Sequence, residues 1–262
     1  MEPEKRVPRS VEYREPLGNG HTLLLRRDAL SLGTDALLLA GILPTRPYDL
    51  ALEIGAGTGA VSLLAALRGK FARIDAVEIQ PALAALARRN VTENGLDGKM
   101  RIIEADARAL PPSHSYHAVF MNPPYRAAGS GQPCKSIAAD FSRYERAGTI
   151  AELCRAAAGC LRPNGRLYAV WPAARLPALL SALREAELSP RRLTEVRAYP
   201  GASPSLCLCT AVAGVPEKTQ NTETIFTPTL FLRTQKDSRE DSPAVRILSL
   251  TGSLPGEWSR YD

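Results

Sequence analysis

Four consecutive residues, Asn122-Pro123-Pro124-Tyr125, carry the most chemistry in the chain. The two prolines hold the backbone extended and remove two N–H donors. The Asn122 side-chain oxygen and the Pro123 carbonyl can then accept both hydrogens of one planar amino group. Held this way, the amine lone pair is drawn out of conjugation and can be aimed at an electrophilic methyl group. No strong base is needed beforehand, and none of His21, His114 and His117 has a partner at catalytic spacing. Tyr125 offers a face on which a planar ring can stack, worth about 1–3 kcal/mol for a base. The plain alternative is a turn, because Asn-Pro and Pro-Pro are turn dipeptides.

A second constellation lies upstream. Glu53-Ile-Gly55-Ala-Gly57-Thr-Gly59-Ala60 leaves a short apolar run and enters a helical pattern. Glycines there let the chain turn sharply and let a ligand approach the backbone. Glu78, in Ala76-Val-Glu-Ile79, stands where an acid would accept hydrogen bonds from two ribose hydroxyls. Gly55, Gly57 and Ala60 satisfy the dinucleotide pattern G-x-G-x-x-G/A. Glu53, Gly55, Gly57 and Gly59 satisfy equally the acid-x-G-x-G-x-G pattern of S-adenosylmethionine sites. A glycine turn of purely structural purpose is the remaining reading. Chain length separates the two cofactors. A dehydrogenase of this type needs a second substrate domain, and too little sequence is left for one. The expected cofactor is S-adenosyl-L-methionine, with Glu78 on its ribose and the three glycines passing its methionine end.

These residues need a scaffold that brings them to one edge. Apolar runs at 49–54, 72–79, 100–103, 117–121, 166–171, 192–197 and 205–212 read as strands. Helical patterns at 34–43, 58–70, 81–94, 147–161 and 173–187 lie between or before them. Thr34 or Ser31 is the expected cap of the first helix, Pro81 a first-turn proline, and Gly95 a helix stop. Strands alternating with helices predict an α/β fold, a Rossmann-like, doubly wound, seven-stranded sheet that is mostly parallel. The last two strands have no helix between them, which predicts an antiparallel strand at one edge. Ligands of such sheets sit beyond the carboxyl ends of the strands, where Gly57, Glu78, Asp106 and Asn122 all fall. Residues 1–20 read as an arm or a short edge element, 126–140 as a loop, and 229–233 as an edge strand.

Composition removes several classes. The chain has 262 residues, 45% apolar and 23% charged, which suits an ordinary globular domain rather than a disordered or fibrous protein. Its longest apolar stretch, Ala36 to Leu43, is far short of the ~20 residues that cross a bilayer. The opening Met-Glu-Pro-Glu-Lys-Arg has no apolar signal region, so a cytoplasmic location is expected. Five cysteines form no metal-ligand spacing, and no metal is expected. Cys207 and Cys209 read as alternate core positions of a strand. The net charge is +6, and residues 101–200 hold all of that excess, with 13 of their 14 basic residues arginine. Such a stretch suits a polyanion, or equally an arginine-rich solvated surface.

The two constellations together resemble the N6-adenine and glutamine-N5 class of S-adenosylmethionine methyltransferases. Within that class the chain is most similar to the bacterial tRNA(Val) adenine-N6 methyltransferases, which modify the adenine beside the anticodon. The similarity runs from about residue 15 to 232 and includes Leu32-Gly-Thr-Asp-Ala-Leu-Leu-Leu-Ala40, Phe141-Ser-Arg-Tyr-Glu145, Leu161-Arg-Pro-Asn-Gly-Arg166 and Thr229-Leu-Phe-Leu232. It implies catalytic roles for Asn122, Pro123, Pro124 and Tyr125. It implies cofactor contacts for Thr34, Asp35, Glu53, Gly55, Gly57, Gly59, Glu78, Asp106 and Asn122, with Asp106 accepting from the cofactor's adenine amine. For Asp106 a turn or helix cap is the plain alternative, and for Thr34 and Asp35 a surface helix cap. Arg126, Lys135, Arg143 and Arg146 are the expected phosphate contacts, although solvated surface residues would look the same. The implied partner is RNA, in particular tRNA, with no membrane and no metal, and a monomer is expected. Protein glutamine, DNA adenine, a ribosomal base and small amines remain alternative acceptors. A release-factor methyltransferase would carry a helical domain ahead of the cofactor loop, and only 52 residues precede Glu53. The expected division is 1–48, an N-terminal arm and helix; 49–233, the catalytic domain; and 234–262, a partly disordered tail.

Overall fold

The alternating apolar runs close into one central sheet. A computed structural model describes residues 12–27, 32–123, 148–214, 224–233 and 235. Its strands are β1 (Glu12–Gly18), β2 (His21–Arg26), β3 (Arg46–Ile54), β4 (Phe71–Glu78), β5 (Met100–Glu104), β6 (Tyr116–Met121), β7 (Leu161–Pro172), β8 (Leu188–Arg197), β9 (Pro204–Ala213), β10 (Ile225–Phe226) and β11 (Leu230–Phe231). Its helices are α1 (Thr34–Ile42), α2 (Ala60–Leu67), α3 (Pro81–Glu93), α4 (Ile150–Cys160) and α5 (Leu176–Glu185). The expected loop at 126–140 and, apart from Gln235, the expected tail at 234–262 lie outside the described residues.

The sheet runs in the order β5-β4-β3-β6-β7-β9-β8-β10, with β11 also on β8. Strands β3 to β7 pair in parallel. β9 is antiparallel to both β7 and β8, so the antiparallel strand lies between these two rather than at the edge itself. The connection from β8 to β9 is too short for a crossover helix, which forces the antiparallel pairing. The two-residue strands β10 and β11 run parallel to β8 on its outer side, so the seven expected strands sit in a sheet of nine.

Each face of the sheet carries its own core. On one face, Leu38, Leu39 and Leu43 of the α1 region and Leu63 and Leu64 of α2 pack with Phe120, together with Leu23 and Leu25 of β2. On the other, Leu153 and Cys154 of α4 and Leu179 and Leu183 of α5 pack over Val119, Leu167 and Trp171. Cys207 and Cys209 share that second core with Ala211. Among the described residues, no His, Cys, Asp or Glu group could hold a metal ion.

Local signals explain most helix starts. Thr149 caps α4 in a capping box with Glu152, each binding the other's backbone N–H. At α1 the expected cap is displaced: Gly33 holds that position without a side-chain bond. Asp35 accepts from Ala36 N at 2.9 Å instead. Thr34 is the exposed first helical residue, and Ser31 lies outside the described residues.

Of residues 1–20, expected as an arm or a short edge element, 12–18 form the first strand of a hairpin and 1–11 lie outside the described residues. β1 and β2 pair antiparallel, with Gly18 opposite His21, which leaves Asn19-Gly20 as a two-residue turn. Asn19 (φ 51) and Gly20 (φ 80) are both left-handed, the requirement of a type I′ turn. Gly20→Val should lower stability by about 1–3 kcal/mol, the cost of forcing a branched residue left-handed. The thermal midpoint should fall by a few degrees, and Gly20→Asn should restore most of it. Equal midpoints for the two variants would count against the turn assignment.

Candidate functional site

The carboxyl ends of β3, β4, β5 and β6 enclose a cavity of about 150 Å³. Its lining includes Glu53, Gly55, Gly57, Glu78, Asp106, Asn122 and Pro123. The parallel register sets this convergence: Ile54 lies beside Val77 on one side and Met121 on the other. Every residue that follows those three positions therefore emerges at one level.

Leaving β3, the chain keeps to β4 for two more bonds, Gly55 N and Ala56 N both donating to Val77 O at 2.9 Å. It then reverses through Gly55, Gly57 and Gly59, at φ +75, +58 and +79. Gly59 caps α2 in the left-handed region with no side chain to offer the helix. A Cβ there would sit 3.4 Å from Ala87 of α3. Glu53 supplies the missing acceptor. Its Oε2 accepts from Ser62 N at 3.1 Å and from the Ser62 hydroxyl, satisfying a first-turn amide that the helix itself cannot.

Glu78 clamps the other side of the loop. Oε2 accepts from Gly57 N at 2.7 Å and Oε1 from Gln80 N at 2.8 Å. The Gln80 side chain and the Ile79 amide also hydrogen-bond this carboxylate, whose oxygens can each accept more than one donor. Both acids are nearly fully buried, Glu53 at 2% and Glu78 at 4% exposure. Burial pushes the Glu53 pKa up to about 8, against the lowering effect of Ser62 and helped by the charge of Glu78. Burial raises Glu78 as well, opposed by its backbone donors.

Asp106 caps the short turn Ala107–Ala109, accepting from Arg108 N at 2.9 Å. The Arg108 guanidinium binds both carboxylate oxygens, the closest at 2.6 Å. This hydrogen bonding holds the Asp106 pKa below the usual carboxylate range. Asp106 thus fills the turn position and the cavity wall together.

Asn122, half-buried, and Pro123, buried, leave β6 into the same wall. Pro124, Tyr125, Arg126, Lys135, Arg143 and Arg146 lie outside the described residues. Thr34 and Asp35 head α1, yet the cavity is lined by Leu32 and Ala36 on either side of them. Gly59 shapes the loop without lining the cavity among the described residues. The sequence reading missed the apolar walls, Leu25, Leu32, Leu83 and Leu153. A signal for Leu25 existed, since Asn19-Gly20 precedes Leu23-Leu24-Leu25 in the pattern of a hairpin.

The described lining holds three carboxyl groups, Glu53, Glu78 and Asp106, and no lysine, arginine or histidine. A pyrophosphate would be repelled here, and the Gly57 N–H it would use is given to Glu78. S-adenosylmethionine carries a sulfonium and an ammonium group, and its charge and ribose match the donor set present.

The model of the methyltransferase small domain family matches residues 27–186. The chain belongs to the methyltransferase small domain family. Similar members are named tRNA1(Val) (adenine(37)-N6)-methyltransferase. One from Tolumonas auensis is 30% identical over 183 residues, 70% of this chain and 76% of its own length. One from Aliivibrio fischeri is 26% identical over 179 residues, 68% and 76% of the two chains. The solved structure of a predicted O-methyltransferase from Agrobacterium tumefaciens superposes with a TM-score of 0.66 at 21% identity, over 84% of this chain and 97% of that one. That of the M. jannaschii tRNA m1G37 methyltransferase gives 0.56 at 14%, over 79% and 58%. These two likenesses show that this small domain has the methyltransferase fold.

The raised Glu53 pKa makes stability depend on pH. The folded protein keeps a proton that the unfolded chain releases, so this stabilisation is complete below pH 4.5 and is lost as pH rises through about 8. Glu53→Gln keeps an acceptor for Ser62 and cannot ionise. Without cofactor, its urea midpoint should match the wild type near pH ~4.5 and exceed it near pH ~9. The same difference between the two proteins at both pH values would contradict a buried, proton-holding Glu53.

Proposed function

We propose that the protein transfers the methyl group of S-adenosylmethionine to N6 of an adenine in tRNA, beside the anticodon. One observation carries the reading: Asn122 and Pro123 follow β6 into the wall of a cavity whose described acidic and basic side chains are all carboxyl groups. The site then has a place for a cationic cofactor and, next to it, two acceptors for one amine. The names of the similar family members supply the acceptor base and the RNA. When bound, S-adenosylmethionine supplies an electrophilic methyl group on its sulfonium.

The remaining work falls to residues of this chain. Glu78 is the ribose acceptor, on the carboxylate that also holds the amides of Gly57 and Gln80. Asp106, held ionised by Arg108, is the acceptor for the cofactor's adenine amine. Gly55, Gly57 and Gly59 give the methionine end its room, with Glu53 beneath them. Thr34 and Asp35 stand at the start of α1 beside Ala36, the residue through which that helix enters the wall. Asn122 Oδ1 and the Pro123 carbonyl hold the two N6 hydrogens of the target, which directs the nitrogen lone pair outward. Pro124 keeps the tetrapeptide stiff, and Tyr125 stacks on the target base. An adenine reaches such a pocket only after leaving its stack, which a loop allows at least cost. Arg126, Lys135, Arg143 and Arg146 serve the phosphates. RNA of this kind places the enzyme in the cytoplasm. No described helix is long and apolar enough to cross a membrane.

Incubation with labelled S-adenosylmethionine and total tRNA, followed by digestion and nucleoside mass spectrometry, should show a gain of N6-methyladenosine. Asn122→Ala should keep cofactor affinity and lower kcat by about 10²–10³-fold, the scale of losing one positioned polar group at a reacting centre. Unchanged turnover in that variant would overturn the amine-holding role. Cofactor binding without tRNA methylation would move the acceptor to a protein glutamine, DNA adenine, ribosomal base or small amine.

A further inference from the structure

Asn90 lies on α3, outside the cavity lining, yet it is 1% exposed and fully engaged. Its Oδ1 accepts from Leu24 N at 2.7 Å. Its Nδ2 donates one hydrogen to Leu24 O at 3.1 Å and the other to Thr58 O at 2.9 Å. One carboxamide therefore joins three elements: the hairpin strand β2, helix α3 and the glycine loop. Thr58 lines the cavity, and so does Leu25, next to Leu24.

One helical turn further on, Asn94 repeats half of this pattern. Its Oδ1 accepts from Thr22 N at 3.2 Å, and its Nδ2 donates to Thr22 O at 2.8 Å. Each asparagine thus closes a two-bond ring with one residue of β2, as a neighbouring strand would. The spacing permits it. Four helical residues rise about 6 Å, and two strand residues about 6.6 Å. Asn94 spends its second hydrogen on Asn90 O at 2.8 Å, while Asn90 spends its own on the cofactor loop.

We propose that Asn90 is a positioning residue for the cofactor: it fixes the glycine loop through the Thr58 carbonyl, with the docked hairpin as its anchor. The inference rests on the reading of the cavity as the S-adenosylmethionine site. Thr58 lies between Gly57 and Gly59, both left-handed, so this carbonyl is held from outside the loop. Without its donor the buried carbonyl must find another partner, and the loop shifts to provide one.

The test compares Asn90→Ala, Asn90→Asp and Asn94→Ala by calorimetric titration with S-adenosylmethionine and with S-adenosylhomocysteine. Circular dichroism and melting curves identify which variants are folded. Asn90→Asp keeps the acceptor for Leu24 N and loses the donors, so it remains informative if the alanine variant does not fold. Asn90→Ala and Asn90→Asp should weaken both ligands about tenfold. The KM for tRNA should stay unchanged, measured at saturating cofactor. Asn94→Ala loosens the same hairpin and should leave cofactor affinity within about twofold. Wild-type affinity in a folded Asn90 variant would overturn the proposal. Equal weakening by Asn94→Ala would also overturn it, because hairpin docking would then suffice. A wild-type protein that binds neither ligand would instead remove the cofactor reading on which the proposal stands.

Discussion

Two carboxyl groups buried at the ends of neighbouring parallel strands hold the loop around which the site is arranged. Glu53 takes the orphan amide and hydroxyl of Ser62, and Glu78 takes the amides of Gly57 and Gln80. Burying two acids this close is costly, as their raised pKa values record. The backbone amides they accept from offset part of that cost and are in turn fixed by it. The loop is thereby committed to one kind of ligand. A glycine loop opening a helix usually offers its N–H groups and the helix dipole to a phosphate. Here protein carboxyl groups take the decisive donors, and what faces the cavity is acid rather than amide. The same glycine pattern can serve a dinucleotide in another chain, and the difference lies in who occupies the donors.

The sheet order explains why Asn122 and Pro123 can lie beside that loop. Strands are added outward from β3 through β4 to β5, and in the opposite direction from β6 to β7. Between β3 and β6 the order reverses, so α2, which follows β3, and α4, which precedes β7, pack on opposite faces of the sheet. After β3 the chain enters α2, on the face packed with α1 and β2. The crevice between them is where a ligand can reach both strand ends. Glu53 and Asn122 line one cavity because the pairing of Ile54 with Met121 brings the two strand ends level.

What could be read in the sequence follows from the range of the interactions. The glycine spacing and the strand-end acids are local, and local patterns survive in one dimension. The Asn19-Gly20 turn was equally local, and the reading of residues 1–20 as an arm passed over it. The cap at Gly33 was not predicted because it involves no side chain. The placement of β9 between β7 and β8 follows from a ladder with a strand more than thirty residues earlier in the chain. No residue type announces that pairing. Asn90 is the clearest case, since Leu24 is 66 residues away. In the sequence it is one polar residue near the end of an amphipathic helix. Only the docked hairpin turns it into the meeting point of three elements.

The distribution of charge gives the site a direction. The cavity is acidic, whereas the excess of arginine lies in residues 101–200, after the cofactor loop in the chain. A phosphate entering the cavity would meet Glu78 and Asp106, and the Arg108 guanidinium is already paired with Asp106 and lies outside the lining. A neutral base meets no such barrier, and on the proposed reading its exocyclic amine is held by Asn122 and Pro123. For an RNA acceptor the backbone therefore stays outside the cavity while a single base is turned in. On the proposed reading, the acids that favour a cationic cofactor also disfavour the nucleotide's own phosphates in the space beside it. One set of carboxyl groups then serves both substrates, by attraction toward one and by repulsion of all but the base of the other.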